Sequence, residues 1–142
     1  MRLARPSVVA MHAQRPEDLP RIFQQHFNAG DVAALTRDYY APAATYAPMP
    51  GVVVDGDEVR PTIARLVALG KPMDVIVRHV LVQAETALLV VDWAILELGM
   101  SGTATDVARR QPDGTWRCLI DNPHGGAATV ELPAATAAAL GE

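Results

Sequence analysis

The sequence predicts an α+β fold, with helices gathered at the amino-terminal end and a curved antiparallel sheet after them. Two observations carry this. Up to about residue 70 the apolar residues recur at helical spacing, and from Met73 onward the period changes to two. Turn residues then punctuate a succession of strand-like runs, the pattern of a meander. Helices segregated from an antiparallel sheet must cover one of its faces.

The first helix is expected in "PEDLPRIFQQHFN", where Leu19, Ile22, Phe23 and Phe27 fall on one face and Asn28-Ala29-Gly30 ends it. Asp31 is placed to cap a second helix, "DVAALTRDYY", with Val32, Leu35 and Tyr39 aligned. "APAATYAPMPGVVVDG" is too rich in proline for a central strand and reads as a short edge strand around Thr45-Tyr46, then a loop. A third helix is expected in "DEVRPTIARLVALG", with Pro61 tolerated only in its first turn. Four long strands follow: "MDVIVRHVLVQAE", "TALLVVDWAILEL", "SGTATDVARRQ" and "TWRCLIDN". Residues 1–14 read as a flexible arm, 15–126 as one domain, and 127–142 as an Ala-rich, weakly structured tail. Three helices cannot fill a long curved sheet, so a cone-shaped cavity is expected on its concave side, where ligands bind.

With 142 residues the chain can bury a real core, and its net charge of −4 gives no reason to bind nucleic acid or an anionic membrane. The amino-terminal apolar run is too short for a signal peptide or a membrane span, and the protein reads as cytoplasmic. The lone cysteine, Cys118, reads as a small buried hydrophobe. Metal-ligand spacing and the glycine patterns of nucleotide sites are absent, so no cofactor is implied. What remains is acid/base chemistry on a bound small molecule, or binding alone.

"FNAGDVAALTRDYYAPAATYAPMPG" followed by "DGDEV" resembles the opening of the nuclear transport factor 2-like superfamily, in its SnoaL-like and ketosteroid-isomerase-like branch. "RRQPDGTWRCLIDNPHG" resembles the closing hairpin of the same proteins. The resemblance implies a cone domain, frequent dimerisation, and activities from isomerase, cyclase and dehydratase to plain binding, some in polyketide or other secondary metabolism. It puts Asp106 where ketosteroid isomerases keep a protonated acid. Phe23 stands where they have a tyrosine, and Pro48 or its neighbourhood where they have the base, so two of those three parts are replaced. It puts Asp121 where SnoaL-like cyclases have an acid/base.

Strand parity adds an independent reading. Arg117, Leu119 and Asp121 share one face of the last strand; Trp116, Cys118, Ile120 and Asn122 share the other. Ala104, Asp106 and Ala108 go together on the strand before. The resemblance puts Asp106 and Asp121 on the concave side, which makes them the candidate catalytic pair, two carboxyls in one apolar cavity. Trp93, Tyr46, Tyr39, Phe23, Leu119 and Met49 are the candidate ligand-binding residues. The expected ligand is a hydrophobic carbonyl or polyketide-like compound. The opposite sheet face, with Trp116, Cys118 and Ile120, is expected to form a homodimer. His26 is expected on the outer side of the first helix, His79 on the sheet surface, and His124 in a flexible loop.

Overall fold

A computed structural model describes residues 11–125, 134–139 and 141. Helix α1 (Leu19–Ala29) buries Leu19, Ile22, His26 and Phe27. It ends where Gly30 turns left-handed (φ 73°) and its amide reaches the His26 and Phe27 carbonyls, the closure that a glycine makes without a Cβ penalty. The Asp31 carboxylate accepts from the Ala34 amide at 3.0 Å and starts α2 (Val32–Ala34), which widens into a π-turn over Leu35–Tyr39. Helix α3 (Val59–Val67) places Pro61 in its first turn and buries Val59, Ile63 and Val67.

The sheet has six strands: β1 (Tyr40–Met49), β2 (Val52–Asp55), β3 (Asp74–Gln83), β4 (Thr86–Ile95), β5 (Met100–Arg110) and β6 (Trp116–Asp121). Their order is β2-β1-β6-β5-β4-β3, antiparallel except for the parallel pair β1·β6. The three helices cover the concave face, as the change of period predicts. No helix among the described residues is long and apolar enough to cross a membrane.

Two sequence expectations are corrected. The proline-rich segment is not a short edge strand: β1 runs ten residues and lies inside the sheet, between β2 and β6. Its register slips between Tyr40 and Thr45 against β6, and between Tyr46 and Met49 against β2. Pro42 and Pro48 fall in these slips, where a missing N–H removes no ladder bond. Strict alternation also fails in β6. Val107 lies opposite Ile120 while Ala108 lies opposite Cys118, so β6 carries one extra residue. The bulge turns Trp116, Cys118 and Asp121 all inward and leaves Leu119 half-buried and Ile120 exposed. Trp116 and Cys118 belong to the core, not to the outer face.

The segment before α1 is docked where it is described. Ala13 is fully buried, its carbonyl accepts from the Trp116 amide at 2.8 Å, and the Met11 amide donates to Asp38. Residues 1–10 and most of the tail expected to be weakly structured lie outside the described residues; Ala134–Ala139 forms α4.

Candidate active site

Between the helices and the concave face lies a cavity of about 440 Å³. Its walls are apolar: Phe23 from α1, Ile63 and Leu66 from α3, Val54 from β2, Val91 and Trp93 from β4. Tyr39, Tyr46 and the half-exposed Met49 also line it. Five of the six ligand-binding candidates are thus brought to one space. Leu119 is not. The bulge points it into a groove on the other side of the sheet, with Ala41, Pro42 and Arg109.

The floor holds Asp106 and Asp121, both buried and close enough for the charge of one to act on the other. β5 presents Asp106 in line with buried Ala104 and Ala108; the bulge presents Asp121 beside it. The Asn122 amide donates to Asp106 Oδ1 at 2.8 Å. The Tyr40 hydroxyl donates to Asp121 Oδ2 at 2.6 Å. Among the described residues no cation touches either carboxyl, so burial is not offset by opposite charge. Burial, and then the charge of Asp121, raise Asp106 well above the ordinary carboxyl range. Burial raises Asp121 from 3.8 to about 6, against the hydrogen bonds from Tyr40 and Asp106. Both carboxyls are therefore harder to ionise than an ordinary aspartate, and they titrate as a pair. Burial likewise raises Tyr39, Tyr40 and Tyr46, which stay protonated and can only donate from their hydroxyls or accept in neutral form.

Trp93 Nε1 donates to the Pro123 carbonyl at 2.7 Å, which ties the segment after β6 across the cavity wall. His124 packs edge-on against the indole, ring centroids 5.5 Å apart, and lines the rim. A Cβ on Gly102 would stand 3.0 Å from both the indole and the Pro123 oxygen, so glycine there makes room for this closure.

The sequence reading missed Tyr40 as a partner of the pair, because its place depends on β1 lying parallel to β6, with Tyr40 opposite Cys118. Nothing local signals such a pairing. It also misplaced His26. That imidazole is 2% exposed, and its Nε2 lies 2.8 Å from Asp38 Oδ2. The i, i+4 spacing of His26 to Ile22 was the available signal, since both fall on the buried stripe. Asp92, which parity puts on the outer face, is bonded there to Arg78 and Thr103. His79 is exposed on the sheet surface, as expected.

No protein-family model matches the chain, and no curated protein matches it. Solved structures do. A candidate calcium/calmodulin-dependent protein kinase type II association domain from Thiobacillus denitrificans is 20% identical, with a TM-score of 0.65 over 79% of this chain and 95% of that one. A candidate dehydratase of the NTF2-like family from Streptomyces avermitilis is 21% identical, with a TM-score of 0.58 over 74% and 89%. A candidate ketosteroid isomerase from Shewanella frigidimarina is 13% identical, with a TM-score of 0.57 over 73% and 89%. At these identities the likeness speaks for the architecture: the chain has the nuclear transport factor 2-like fold, which also hosts proteins of unknown function.

Proposed function

We propose that the protein is a cofactor-free acid/base enzyme of isomerase, cyclase or dehydratase type, acting on a hydrophobic, polyketide-like carbonyl compound. One observation carries the reading: two buried carboxyls share the floor of an apolar cavity with no cation among the described residues to neutralise them. Asp121 takes a proton from the carbon next to the carbonyl, and the electron pair of that C–H bond becomes the C=C of an enolate. Asp106 uses its Oδ1 to accept the Asn122 amide, which leaves Oδ2 to carry the proton it offers to the enolate oxygen. Returning the proton from Asp121 to another carbon completes an isomerisation. Attack of the enolate on a second carbonyl, whose oxygen takes the proton back from Asp121, is a cyclisation; expulsion of a β-hydroxyl, which leaves as water with that proton, is a dehydration. The Tyr40 hydroxyl keeps Asp121 ionised and oriented. A cytoplasmic setting suits the single thiol of Cys118, which needs no oxidising compartment.

The test is exchange of the α-protons of 2-tetralone for deuterium, followed by proton NMR at pH 7. The wild type should accelerate exchange, and Asp121→Asn should lose about 10²–10⁴-fold of that, the usual worth of a positioned base. Asp106→Asn should lose less, because an amide still donates. Exchange no faster than in buffer, or a fully active Asp121→Asn, defeats the catalytic reading.

A binding or assembly role in a homodimer is favoured by a separate observation. On the outer sheet face Leu81, Leu88, Val107 and Ile120 lie opposite one another across four strands. Leu81 is 62% exposed, Leu88 38% and Ile120 40%. A continuous apolar row of this kind pairs well with its own two-fold copy. Sedimentation should give a dimer that Leu88→Glu dissociates; a monomeric wild type removes this reading.

A further inference from the structure

Resting on the cavity's reading as a substrate site, we infer that the ligand is two-ended: a neutral carbonyl goes to the floor and an anionic group, such as a carboxylate, stays at the mouth with Arg65. The charged side chains that line the cavity are Asp106, Asp121 and Arg65, with His124 at the rim. Asp106 and Asp121 are buried, whereas Arg65 is exposed on α3, so the two kinds of charge stand at opposite ends of an apolar space. Arg65 shares its helix side with Thr62, Leu66 and Leu69, which line the cavity too. No ion pair among the described residues involves Arg65, whereas Arg37, Arg78, Arg110 and Lys71 each have a carboxylate partner. The acids nearest in sequence, Asp57 and Glu58, sit at the start of α3, about two helical turns away.

Charge decides the orientation. The floor has two buried carboxyls and, among the described residues, no cation beside them, so it disfavours any anion that enters that end first. A guanidinium at the other end offers a planar fork that suits a carboxylate, sulfate or phosphate. The apolar walls between them accept a ring system or an acyl chain. An amphipathic keto acid is therefore held in one direction, carbonyl inward, and its diacid or inverted isomer is rejected. The apolar rim residues Met49, Val52 and Leu69, all exposed, cover the part of the ligand next to the charged group.

The experiment uses two matched probes, 6-acetyl-2-naphthoate and its methyl ester, titrated against the full chain by calorimetry, with the fluorescence of a Trp116→Phe background, in which Trp93 is the one tryptophan, as a second signal. The carboxylate should bind about tenfold more tightly than the ester. In Arg65→Gln that preference should vanish while the ester binds as before, and Arg65→Lys should retain part of it. Equal affinities in the wild type, or a preference that survives Arg65→Gln, overturns the inference. Binding of neither probe overturns both this inference and the reading of the cavity beneath it. A wild-type preference lost in Arg65→Gln, together with no α-proton exchange in the tetralone assay, sustains this inference and removes only the catalytic step.

Discussion

Two places in this molecule bury aspartate, and they treat it in opposite ways. In the helix layer Asp38 is enclosed by His26, by the Arg37 guanidinium at 2.8 and 2.9 Å, and by the Met11 amide. Burial alone would raise its pKa, but Arg37, the Met11 amide and His26 together outweigh it and hold the carboxyl below 3.8. On the cavity floor Asp106 and Asp121 meet, among the described residues, only neutral donors and each other, and both are raised. The first site is a satisfied structural joint that ties the segment before α1 to the π-turn. The second retains an uncompensated cost. A fold tolerates that where the group has a task, and this contrast is what the proposed chemistry at the floor rests on.

The largest effect should come from breaking the satisfied site. Asp38→Ala strands a buried imidazole and a guanidinium, and should lower stability by about 3–5 kcal/mol in urea unfolding. The floor should respond in the reverse sense. Raising Asp121 from 3.8 to about 6 costs about 3 kcal/mol once it is ionised, at 1.36 kcal/mol per unit. Asp121→Asn should therefore stabilise the protein at pH 8, by up to that amount less the hydrogen bonds it weakens. A loss of several kcal/mol would erase the distinction between the two sites.

The pH dependence sharpens the same comparison. The folded protein binds the Asp121 proton more tightly than the unfolded chain does, so its contribution is fully present below about 3.8 and is lost as pH rises through about 6, and raised Asp106 acts in the same direction. Asp38 behaves oppositely: its contribution is present above the ordinary carboxyl range and is lost as pH falls through its lowered value. Urea midpoints across pH 3–8 should thus fall on the alkaline side in the wild type, and this slope should flatten in Asp121→Asn. A smaller effect is expected from Tyr40→Phe: about 1 kcal/mol of stability, with the carboxyl resonance of Asp121 titrating higher than in the wild type. The smallest is Leu119→Ala, which should leave probe binding unchanged, because that side chain lies outside the cavity.

Much of the fold was legible because it follows from patterns of short range. The helical spacing around Leu19, Ile22 and Phe27, the Asp31 cap and the period of two after Met73 each report on neighbouring residues. The pairing of Asp106 with Asp121 was also reachable, although strand parity gave Asp121 the wrong face-mates: the bulge puts it with Cys118 rather than with Leu119. What stayed hidden depends on contacts distant in sequence. His26 looked like a polar residue facing water until Asp38, twelve positions on, supplied its partner. Proline counts argued against an internal strand, and only the register slips show how β1 accommodates Pro42 and Pro48.

The parallel pairing of β1 with β6 bears on how the chain folds. Tyr40 and Asp121 are 81 residues apart, yet their hydrogen bond belongs to the floor of the cavity. Strand β6 is the keystone between two blocks that form from local contacts, the β1–β2 hairpin and the β3–β4–β5 meander. Until it docks, β1 and β5 each offer an open edge, and the proton-sharing pair lacks one member. Closing so long a loop is a slow event in the search for the native state. A chain that ends before Trp116 therefore lacks the strand that joins the two blocks and one of the two carboxyls of the cavity floor.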